Sequence, residues 1–274
     1  MRLIDTHCHI HEGSFGADGA AAVARAHAAG VAVMLTLGSN LADSEAAIAF
    51  AAQHEGVLAA AGVHPHDAKD ADDAALDTLA RLAYDPRVAL VGEIGLDFYR
   101  NLSPAGDQMR VLERQLETAT SAIKPIAVHV REAHEQMLPL LSAWSRTIGG
   151  QFADGRPLGV MHYFSAGPAE AARYVELGFV ISIHTSVTHP KATLLQEVAR
   201  QTPLDHLVLE TDSPYGAPQR FRGKRNEPAY VAEAAAKVAE LKSLSIEQVA
   251  EATTRNALRL LLGVGAANGP GNRE

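Results

Sequence analysis

Two histidines separated by one residue end the first apolar run of this sequence. His7 and His9 follow Leu3-Ile4, with Cys8 between them. Successive side chains of a strand point to opposite faces, so His7 and His9 share one face and Cys8 takes the other. Such a pair can hold one divalent ion from a single strand. For the motif alone, an accidental pair on a surface strand is the alternative.

Further apolar runs end in potential metal ligands, and one of these is a carboxylate with two oxygens to offer. Glu93 follows Ala89-Leu90-Val91-Gly92, and burying its charge requires a compensating cation. A structural salt bridge is the alternative for Glu93. Three other candidates follow later apolar runs: His129, His162 and Asp212. The predicted ligand sets are His7, His9, Glu93 and Asp212 for one ion, and Glu93, His129 and His162 for a second.

The residue types of these sets indicate the chemistry. Mixed imidazole and carboxylate ligands suit Zn, Mn, Fe or Co better than Ca. Two ions that share a carboxylate suit in-line displacement at phosphorus, because they stabilise both the attacking and the leaving oxygen. The sequence therefore predicts a hydrolase with two divalent metal ions per chain, with Mg, Mn and Zn as the candidate ions.

The elements that must position these residues follow a regular pattern. Eight runs rich in Val, Ile, Leu and Ala, each four to seven residues long, are typical of buried parallel strands. Polar ligands at the carboxyl ends of such strands are typical of a barrel of alternating strands and helices. We predict an α/β fold, a (β/α)8 TIM barrel. The predicted helices are Ala-rich segments at about 17–29, 42–55, 71–83, 105–122, 133–147, 168–177, 190–200 and 228–240.

The size of the chain is consistent with one such domain. It has 274 residues, close to the ~250 of a typical barrel. An extra C-terminal helix is predicted at about 245–262. We expect a single domain over 1–264 and a flexible tail over 265–274, where Gly, Asn and Pro accumulate.

Composition limits the possible partners and the compartment. A formal net charge of −8 argues against a large surface for duplex DNA, whose binding is driven by release of phosphate counterions. It does not exclude an enzyme that grips a strand end through bound cations. No apolar stretch reaches the ~20 residues of a membrane span, and no room is left for a signal sequence before the first strand. With a single cysteine, we expect a cytoplasmic protein without membrane association, and a monomer is compatible with the sequence.

Longer motifs resemble the TatD family of metal-dependent deoxyribonucleases, within the amidohydrolase-like barrels. The matching segments are DTHCHI at 5–10, GVHPHD at 62–67, GEIGLDFYR at 92–100, HVREA at 129–133, ETDSPY at 210–215 and RGKRNEP at 222–228. The resemblance implies that the six predicted ligands fall on the ligand positions of the family, and that His64 contacts the region of the scissile phosphate. It also implies 3′-to-5′ exonuclease activity on single-stranded DNA, in some members on RNA, in the context of DNA repair.

Several residues near the predicted ligands are candidates for supporting roles. Glu210 is expected to accept a hydrogen bond from a ligand histidine and so fix its tautomer. Asp97 is predicted to hold a sugar hydroxyl or a metal-coordinated water, with a buried ion pair as the alternative. Arg131 is predicted to meet phosphate.

A dense basic run, Arg220 to Arg225, follows the eighth strand. Two of its three arginines, Arg222 and Arg225, are predicted to bind phosphate, with pairing to Glu227 as the alternative. Phe221 is a candidate platform for a nucleobase, as are Tyr99 and Tyr215.

Two histidines depart from the family pattern. His11 stands where the family often has Asp, and His184 stands where a small polar or aromatic residue is more common. For both histidines, three roles remain open: a phosphate contact, a third metal site, and a plain role in lining the mouth, the open end of the barrel at the carboxyl ends of the strands.

The hypothesis for the reaction is hydrolysis of a phosphodiester at DNA or RNA 3′ ends through a metal-activated water. Asp212, Glu93 and His64 form the predicted catalytic set: Asp212 accepts a proton from the water, while His64 and an arginine stabilise the developing charge. One alternative is a metal-dependent D-aminoacyl-tRNA deacylase or another carbonyl hydrolase on the same barrel. Another is a metal-dependent scaffold without turnover.

Overall fold

Strands and helices alternate along the chain in the computed structural model, which describes residues 1–152 and 155–262. The eight strands are β1 (Leu3–Cys8), β2 (Val31–Leu37), β3 (Val57–Ala61), β4 (Val88–Asp97), β5 (Ile126–Arg131), β6 (Gly159–Met161), β7 (Phe179–His184) and β8 (Leu207–Glu210). All ladders are parallel, and the strands lie in the sheet in chain order. Each strand comes from an apolar run of the sequence, because a strand covered on both faces needs an apolar side chain at nearly every position.

Helices follow the strands on the outside of the sheet. They are α1 (Gly19–Ala28), α2 (Leu41–Gln53), α3 (Asp73–Leu82), α4 (Ala105–Ala122), α5 (His134–Ile148), α6 (Pro168–Glu176), α7 (Thr193–Gln201), α8 (Val231–Lys242) and α9 (Ile246–Leu262). Eight lie close to the segments predicted from the Ala-rich pattern, and α9 is the extra C-terminal helix. The predicted tail over 265–274 lies outside the described residues.

The last strand returns to the side of the first. The backbone N–H of Asp212 donates to the carbonyl of His7 at 2.8 Å, and Cys8 forms a parallel bridge with Ser213. The buried carboxylate of Asp5 reinforces this junction, accepting hydrogen bonds from the backbone N–H of Thr211 at 2.8 Å and from its hydroxyl at 2.6 Å. The predicted (β/α)8 barrel is confirmed.

Apolar residues form two layers, one inside the barrel and one between the sheet and the helices. Residues from all eight strands, including Ile4, Leu90 and Val208, fill the inner layer. Ala257, Leu260 and Leu261 of α9 join the same cluster. The C-terminal helix therefore covers one end of the barrel, which leaves the opposite end for the polar ligands.

One strand is longer than the sequence suggested, and this changes the place of Glu93. The expectation put Glu93 at the end of the fourth strand, but β4 continues to Asp97. The register against β5 shifts between Val91 and Ile94, so Glu93 lies in an irregularity inside the strand. The described residues contain no helix long and apolar enough to cross a membrane.

Candidate metal centre

Glu93 lies at the centre of the predicted ligands, and its two oxygens face different imidazoles. Its Oε2 lies 3.3 Å from Nε2 of His7. Its Oε1 lies 3.0 Å from Nδ1 of His129, 3.5 Å from Nε2 of His64 and 3.6 Å from Nε2 of His162. Side chains from strands that are far apart in sequence therefore meet on one carboxylate, as the bridging hypothesis requires.

Asp212 occupies the other side of the first histidine pair. Its Oδ1 lies 3.6 Å from Nε2 of His9 and 3.8 Å from Nε2 of both His7 and His162. The residue follows β8 with a φ of 57°, a left-handed conformation that is uncommon outside glycine and that occurs at functional sites. His7 and His162 stack with their ring centroids 3.4 Å apart.

The described residues form three groups that could each hold a metal ion: His7, His9 and Asp212; His7, Glu93 and His162; and His64, His66 and His129. The ligand atoms of each group lie within 4.8 Å of one another. All six predicted ligands converge, but the first two groups share His7, His162 reaches both carboxylates, and His129 falls in the third group. The distances therefore do not reproduce the two separate ligand sets that were expected from the sequence.

Hydrogen bonds on the outer side of the rings decide which nitrogen faces inward. Nδ1 of His9 lies 2.9 Å from the carbonyl of Leu37, and Nδ1 of His162 lies 3.0 Å from Oε2 of Glu210. Nε2 of His129 lies 3.2 Å from Oδ2 of Asp97. An imidazole that donates to an oxygen on one side keeps a free lone pair on its other nitrogen.

In their neutral forms, these three rings therefore each point a free lone pair into the same space as the Glu93 and Asp212 carboxylates. His7 differs, because its buried Nδ1 finds no hydrogen-bond partner in the described part of the chain. A concentration of lone pairs and negative charge with so little water access is stable only with a cation among them. The residues present therefore fit a divalent metal site, and the expected role of Glu210 matches its contact with His162.

The electrostatics of the cluster also favour positive charge. Burial opposes protonation of His162, but the charges of Glu210 and Glu93 outweigh it and raise its pKa to about 10. Burial likewise opposes protonation of His9, yet the hydrogen bond and charge of Asp212 raise its pKa to about 9. Burial also opposes ionisation of Glu93, but the neighbouring histidine charges, led by His162, hold its pKa well below the usual value. The centre therefore attracts cations, protons included.

His64 stands on the rim of this cluster. It follows β3, its side chain is 12 % exposed, and its Nε2 lies 3.3 Å from Nδ1 of His129 as well as close to Glu93. Burial holds the pKa of His64 well below its ordinary value, so the imidazole is neutral. Its place beside the centre is compatible with the predicted contact to a phosphate.

His66 is not among the residues for which a role is predicted from the sequence, and the structure places it beside His64 and His129. Its Nε2 lies 2.8 Å from Oδ2 of Asp97, the same oxygen that faces His129. The signal was present in the sequence, because His66 stands two residues after His64 in the motif GVHPHD.

Asp97 lies deeper than its predicted contact with substrate requires. The residue is fully buried, and its Oδ1 accepts a hydrogen bond from the backbone N–H of Arg100 at 2.7 Å. Burial opposes its ionisation, but the hydrogen bonds from His129, Arg100 and His66 hold its pKa well below the usual value. Both oxygens are engaged by protein donors, which corresponds to the alternative of a buried ion pair.

The predicted phosphate contacts divide into two kinds. Arg131 is exposed at the end of β5, with its guanidinium 3.9 Å from the ring centroid of Tyr99. Arg222 is exposed, and no ion-pair partner lies within 4 Å among residues 1–152 and 155–262. Arg225 instead pairs with Glu227 at 2.8 Å and also with Asp18, so the alternative of loop pairing describes this arginine better.

The candidate base platforms differ in their accessibility. One face of Phe221 is covered by Tyr230, whose ring is parallel at a centroid distance of 4.0 Å. Tyr99 and Tyr215 are 57 % and 56 % exposed. Because the Arg131 guanidinium also covers one face of Tyr99, accessible aromatic surface is supplied mainly by Tyr215 and by the exposed part of Tyr99.

The two histidines that depart from the family pattern both have protein partners. His11 contacts the hydroxyl of Thr36 at 2.7 Å and Oδ1 of Asp43 at 2.9 Å. His184 contacts the hydroxyl of Ser186 at 2.6 Å and stacks on Tyr163. Burial lowers the pKa of His184 to about 3, so it is neutral. These contacts favour the plain lining role over a third metal site.

Comparison with known proteins gives consistent results across the chain. A family model described as TatD related DNase matches residues 4–262. An uncharacterized metal-dependent hydrolase, YabD of Bacillus subtilis (strain 168), is 34% identical over 259 residues, which cover 94% of this chain and 98% of the relative. The 3′-5′ ssDNA/RNA exonuclease TatD of Klebsiella pneumoniae (strain 342) is 34% identical over 267 residues, 96% of this chain and 98% of that protein.

Solved structures agree with the sequence relatives. The crystal structure of YJJV, a TatD homologue from Escherichia coli K12, superposes with a TM-score of 0.87 at 30% identity, covering 95% of this chain and 98% of that one. An organophosphorus hydrolase mutant superposes with a TM-score of 0.61 at 16% identity, covering 94% and 92% of the two chains. The second likeness concerns the fold alone.

Proposed function

Since this chain belongs to the TatD-related DNase family of metal-dependent hydrolases, we propose that it removes nucleotides from the 3′ ends of single-stranded DNA or RNA. The bond cleaved is a phosphodiester, and the products are 5′-mononucleotides. Support for the substrate comes from relatives at 34–35% identity whose names describe 3′-5′ ssDNA/RNA exonucleases.

One observation carries the proposal: the two oxygens of Glu93 face different imidazoles inside one cluster. Oε2 faces His7, whereas Oε1 faces His129, His64 and His162. A carboxylate in that position can be shared by two ions. The proposed ions are Mg, Mn or Zn. The proposed ligands are the six residues predicted from the sequence: His7, His9, Glu93, His129, His162 and Asp212. When bound, such ions lower the pKa of a water molecule and stabilise charge on a phosphoryl group.

The side chains of the chain supply the other parts of the reaction. Asp212 is 14 % exposed and would accept the proton of the attacking water, because its Oδ1 lies at the cluster while its carboxylate still meets solvent. The neutral imidazole of His64 would donate a hydrogen bond to a phosphate oxygen beside Glu93.

The 3′ end of the nucleic acid would be held by side chains around the open end of the barrel. Arg131 and Arg222 are the proposed phosphate contacts, and Tyr99 and Tyr215 offer faces on which bases can stack. Arg225 is assigned to the loop instead, through its pairs with Asp18 and Glu227. With a net charge of −8, affinity for the phosphate backbone must come from this local region.

The test is the release of mononucleotides from a 5′-labelled single-stranded oligonucleotide. Protein freed of metal by chelation is compared with protein reloaded with Mg²⁺, Mn²⁺ or Zn²⁺. We expect a ladder that shortens from the 3′ end only in the reloaded samples. Circular single-stranded DNA is the matched control, and it should remain intact because it offers no 3′ end.

The same preparation is assayed on D-aminoacyl-tRNA, which presents a carbonyl ester to the same centre. Faster ester hydrolysis by kcat/KM, together with no release of nucleotides, would contradict the nuclease proposal. Release that is unaffected by chelation would contradict its metal dependence.

A further inference from the structure

A buried carboxylate connects the metal centre with a histidine that the proposed reaction does not use. Asp97 directs one oxygen, Oδ2, at Nε2 of His129 (3.2 Å) and at Nε2 of His66 (2.8 Å). Its side chain is 1 % exposed, whereas that of His66 is 22 % exposed. The three groups form a chain from the rim of the mouth to a proposed ligand.

The position of Asp97 is fixed from several sides. Its backbone N–H donates to Oε1 of Gln108 on α4 at 2.8 Å, and its carbonyl accepts from Nε2 of the same side chain at 3.1 Å. Its Oδ1 accepts from the backbone N–H of Arg100. The end of β4 is thereby tied to α4, and only Oδ2 remains to meet the two imidazoles.

The contact between β4 and β5 at this point depends on a glycine. Gly95 pairs with His129 in the register of the two strands and has a φ of +153°. A Cβ at Gly95 would lie 1.9 Å from the carbonyl oxygen of His129. The absence of a side chain therefore brings the Asp97 end of β4 beside the His129 segment of β5.

This arrangement decides which nitrogen His129 offers to a metal. Both ring nitrogens face carboxylates, Nδ1 facing Glu93 at 3.0 Å and Nε2 facing Asp97. A neutral imidazole carries one proton, so a hydrogen bond to Asp97 places it on Nε2 and leaves the lone pair of Nδ1 directed at the cluster. Glu210 stands in the same relation to His162, through Nδ1 of that ring.

We propose that Asp97 is the positioning residue that fixes the ring orientation and tautomer of His129, and that His66 completes this role by binding the same carboxylate oxygen. His66 restrains Asp97 from the rim side, so that its Oδ2 stays between the two rings. The proposal rests on the ligand set of the proposed function and concerns metal binding without substrate.

The variant Asp97→Asn removes the charge and cannot satisfy all three donors. If the amide oxygen faces the imidazoles, the amide NH2 faces the N–H of Arg100. If the amide is reversed, the NH2 faces two imidazole N–H groups. We expect the dissociation constant of the ion held through His129 to rise ~10–100-fold, the usual effect of losing such a partner. The ion held through His9 should change less than about threefold, because no contact to that histidine is altered.

The measurement is a titration of metal-free protein with Zn²⁺ against a chromophoric chelator, with bound metal counted by mass spectrometry. His9→Ala and His129→Ala identify which of the two binding steps belongs to which ligand. Asp85→Asn is the matched control, because Asp85 pairs with Arg87 next to the opposite end of β4. It should leave both steps unchanged.

Two substitutions of His66 test the same role while leaving the Asp97 carboxylate intact. His66→Gln keeps an N–H for Asp97. The dissociation constant of the ion held through His129, the second ion, should therefore stay within about threefold of that of the original protein, as expected when the partner is replaced conservatively. His66→Phe fills similar space without a donor and should raise the same dissociation constant about five- to tenfold by the same principle. Circular dichroism establishes folding, and if Asp97→Asn fails to fold, the His66 pair carries the test.

The outcomes separate this inference from the proposed function. If His129→Ala loses the second ion while Asp97→Asn and His66→Phe keep it, the positioning role is wrong and the ligand set stands. If His129→Ala keeps both ions, the ligand set itself is wrong, and the positioning role falls with it. A third ion that binds the original protein but not Asp97→Asn would make Asp97 a ligand, and that result also overturns the proposal.

Discussion

Each oxygen of the Glu93 carboxylate faces its own histidines, and each proposed ligand ring with a fixed tautomer is held on its far side by an oxygen. His9 uses the carbonyl of Leu37, and His162 uses Glu210. At this scale the chemistry depends on which lone pairs point inward, because imidazoles of the wrong tautomer would present N–H groups to a cation.

Replacing Glu93 with Gln tests its central position. The amide is similar in shape but lacks the charge that two ions would share, so we expect kcat/KM on single-stranded DNA to fall at least ~10³-fold, equivalent to about 4 kcal/mol of transition-state stabilisation. Circular dichroism should be unchanged. Glu45→Gln on the exposed surface of α2 is the control, and it should retain full activity. Activity within tenfold of the original in Glu93→Gln would exclude a bridging role.

His134, which lies outside the candidate metal centre, should make the free energy of unfolding depend on pH. Nδ1 of His134 lies 2.9 Å from the hydroxyl of Tyr174, and burial lowers the pKa of His134 below its ordinary 6.5. Below pH 6.5 the unfolded chain therefore binds more protons here than the folded one, so the contribution of His134 to stability falls as pH drops towards the lowered pKa.

Urea denaturation at pH 7, 6 and 5 measures this contribution. Between pH 7 and 5, His134→Gln should lose less unfolding free energy than the original protein, by at most about 1.4 kcal/mol per pH unit. Equal losses in the two proteins would show that His134 does not titrate differently on folding. Both proteins are measured with the same bound metal.

At the scale of elements, close approach of neighbouring strands brings the site together. β4 and β5 touch through Gly95, and β1 and β8 meet through Asp5 and Thr211. The irregularity in β4 around Glu93 lets that strand run on to Asp97. β4 thereby carries both Glu93, the proposed bridging carboxylate, and Asp97, the proposed positioning residue of His129 on β5.

Gly95→Ala tests the contact between β4 and β5. The new Cβ would lie 1.9 Å from a backbone oxygen, at a φ that residues with side chains rarely adopt, so the strands must separate. We expect a destabilisation of roughly 3 kcal/mol or more and a fall in Tm of about 6–12 °C.

Gly106→Ala in α4 is the matched control for this substitution, since nothing lies within 4 Å of its Cβ position. Alanine is the better helix former, so this variant should be as stable as the original or slightly more so. A Gly95→Ala protein with an unchanged Tm would show that the strands are not in tight contact.

For the whole molecule, one end of the barrel is closed and apolar while the other is open and polar. The inner layer of strand residues is covered by α9, and among the described residues the predicted ligands lie towards the opposite end of the barrel. The net charge of −8 is compatible with a centre that gathers cations and with a nucleic acid held through a small basic region. The matched relatives are covered over nearly their whole length, consistent with one shared architecture.

Leu260→Ala tests the closure of the barrel by α9. Leu260 is fully buried against the inner layer, so its truncation leaves a cavity that costs about 2–5 kcal/mol. The expected fall in Tm is roughly 4–20 °C at 2–4 °C per kcal/mol. Leu262→Ala on the same helix is the control, because Leu262 is 49 % exposed. A similar loss in both variants would indicate that α9 contributes helix formation and not coverage of the core.

Much of this architecture could be predicted from the sequence because its signals are local. An apolar run of Val, Ile and Leu is enough to mark a buried strand, and His7-Cys8-His9 marks a shared face through the alternation of side chains. The resemblance of long motifs added the family. The convergence of His129, His162 and Asp212 followed from placing strand ends at one rim.

Other features depend on contacts between residues that are far apart in the chain. Arg225 meets Asp18 across the sequence, which removes it from the group of available cations. The hydrogen bonds of Asp97 with His66 and His129 depend on how closely β4 approaches β5. A local sequence pattern carries no information on the distance between two strands. The sequence determined which residue types reach the mouth of the barrel. Only the tertiary structure decided how each ring is oriented and which charges are already paired, because hydrogen bonds form through space and depend on separations of a few tenths of an ångström.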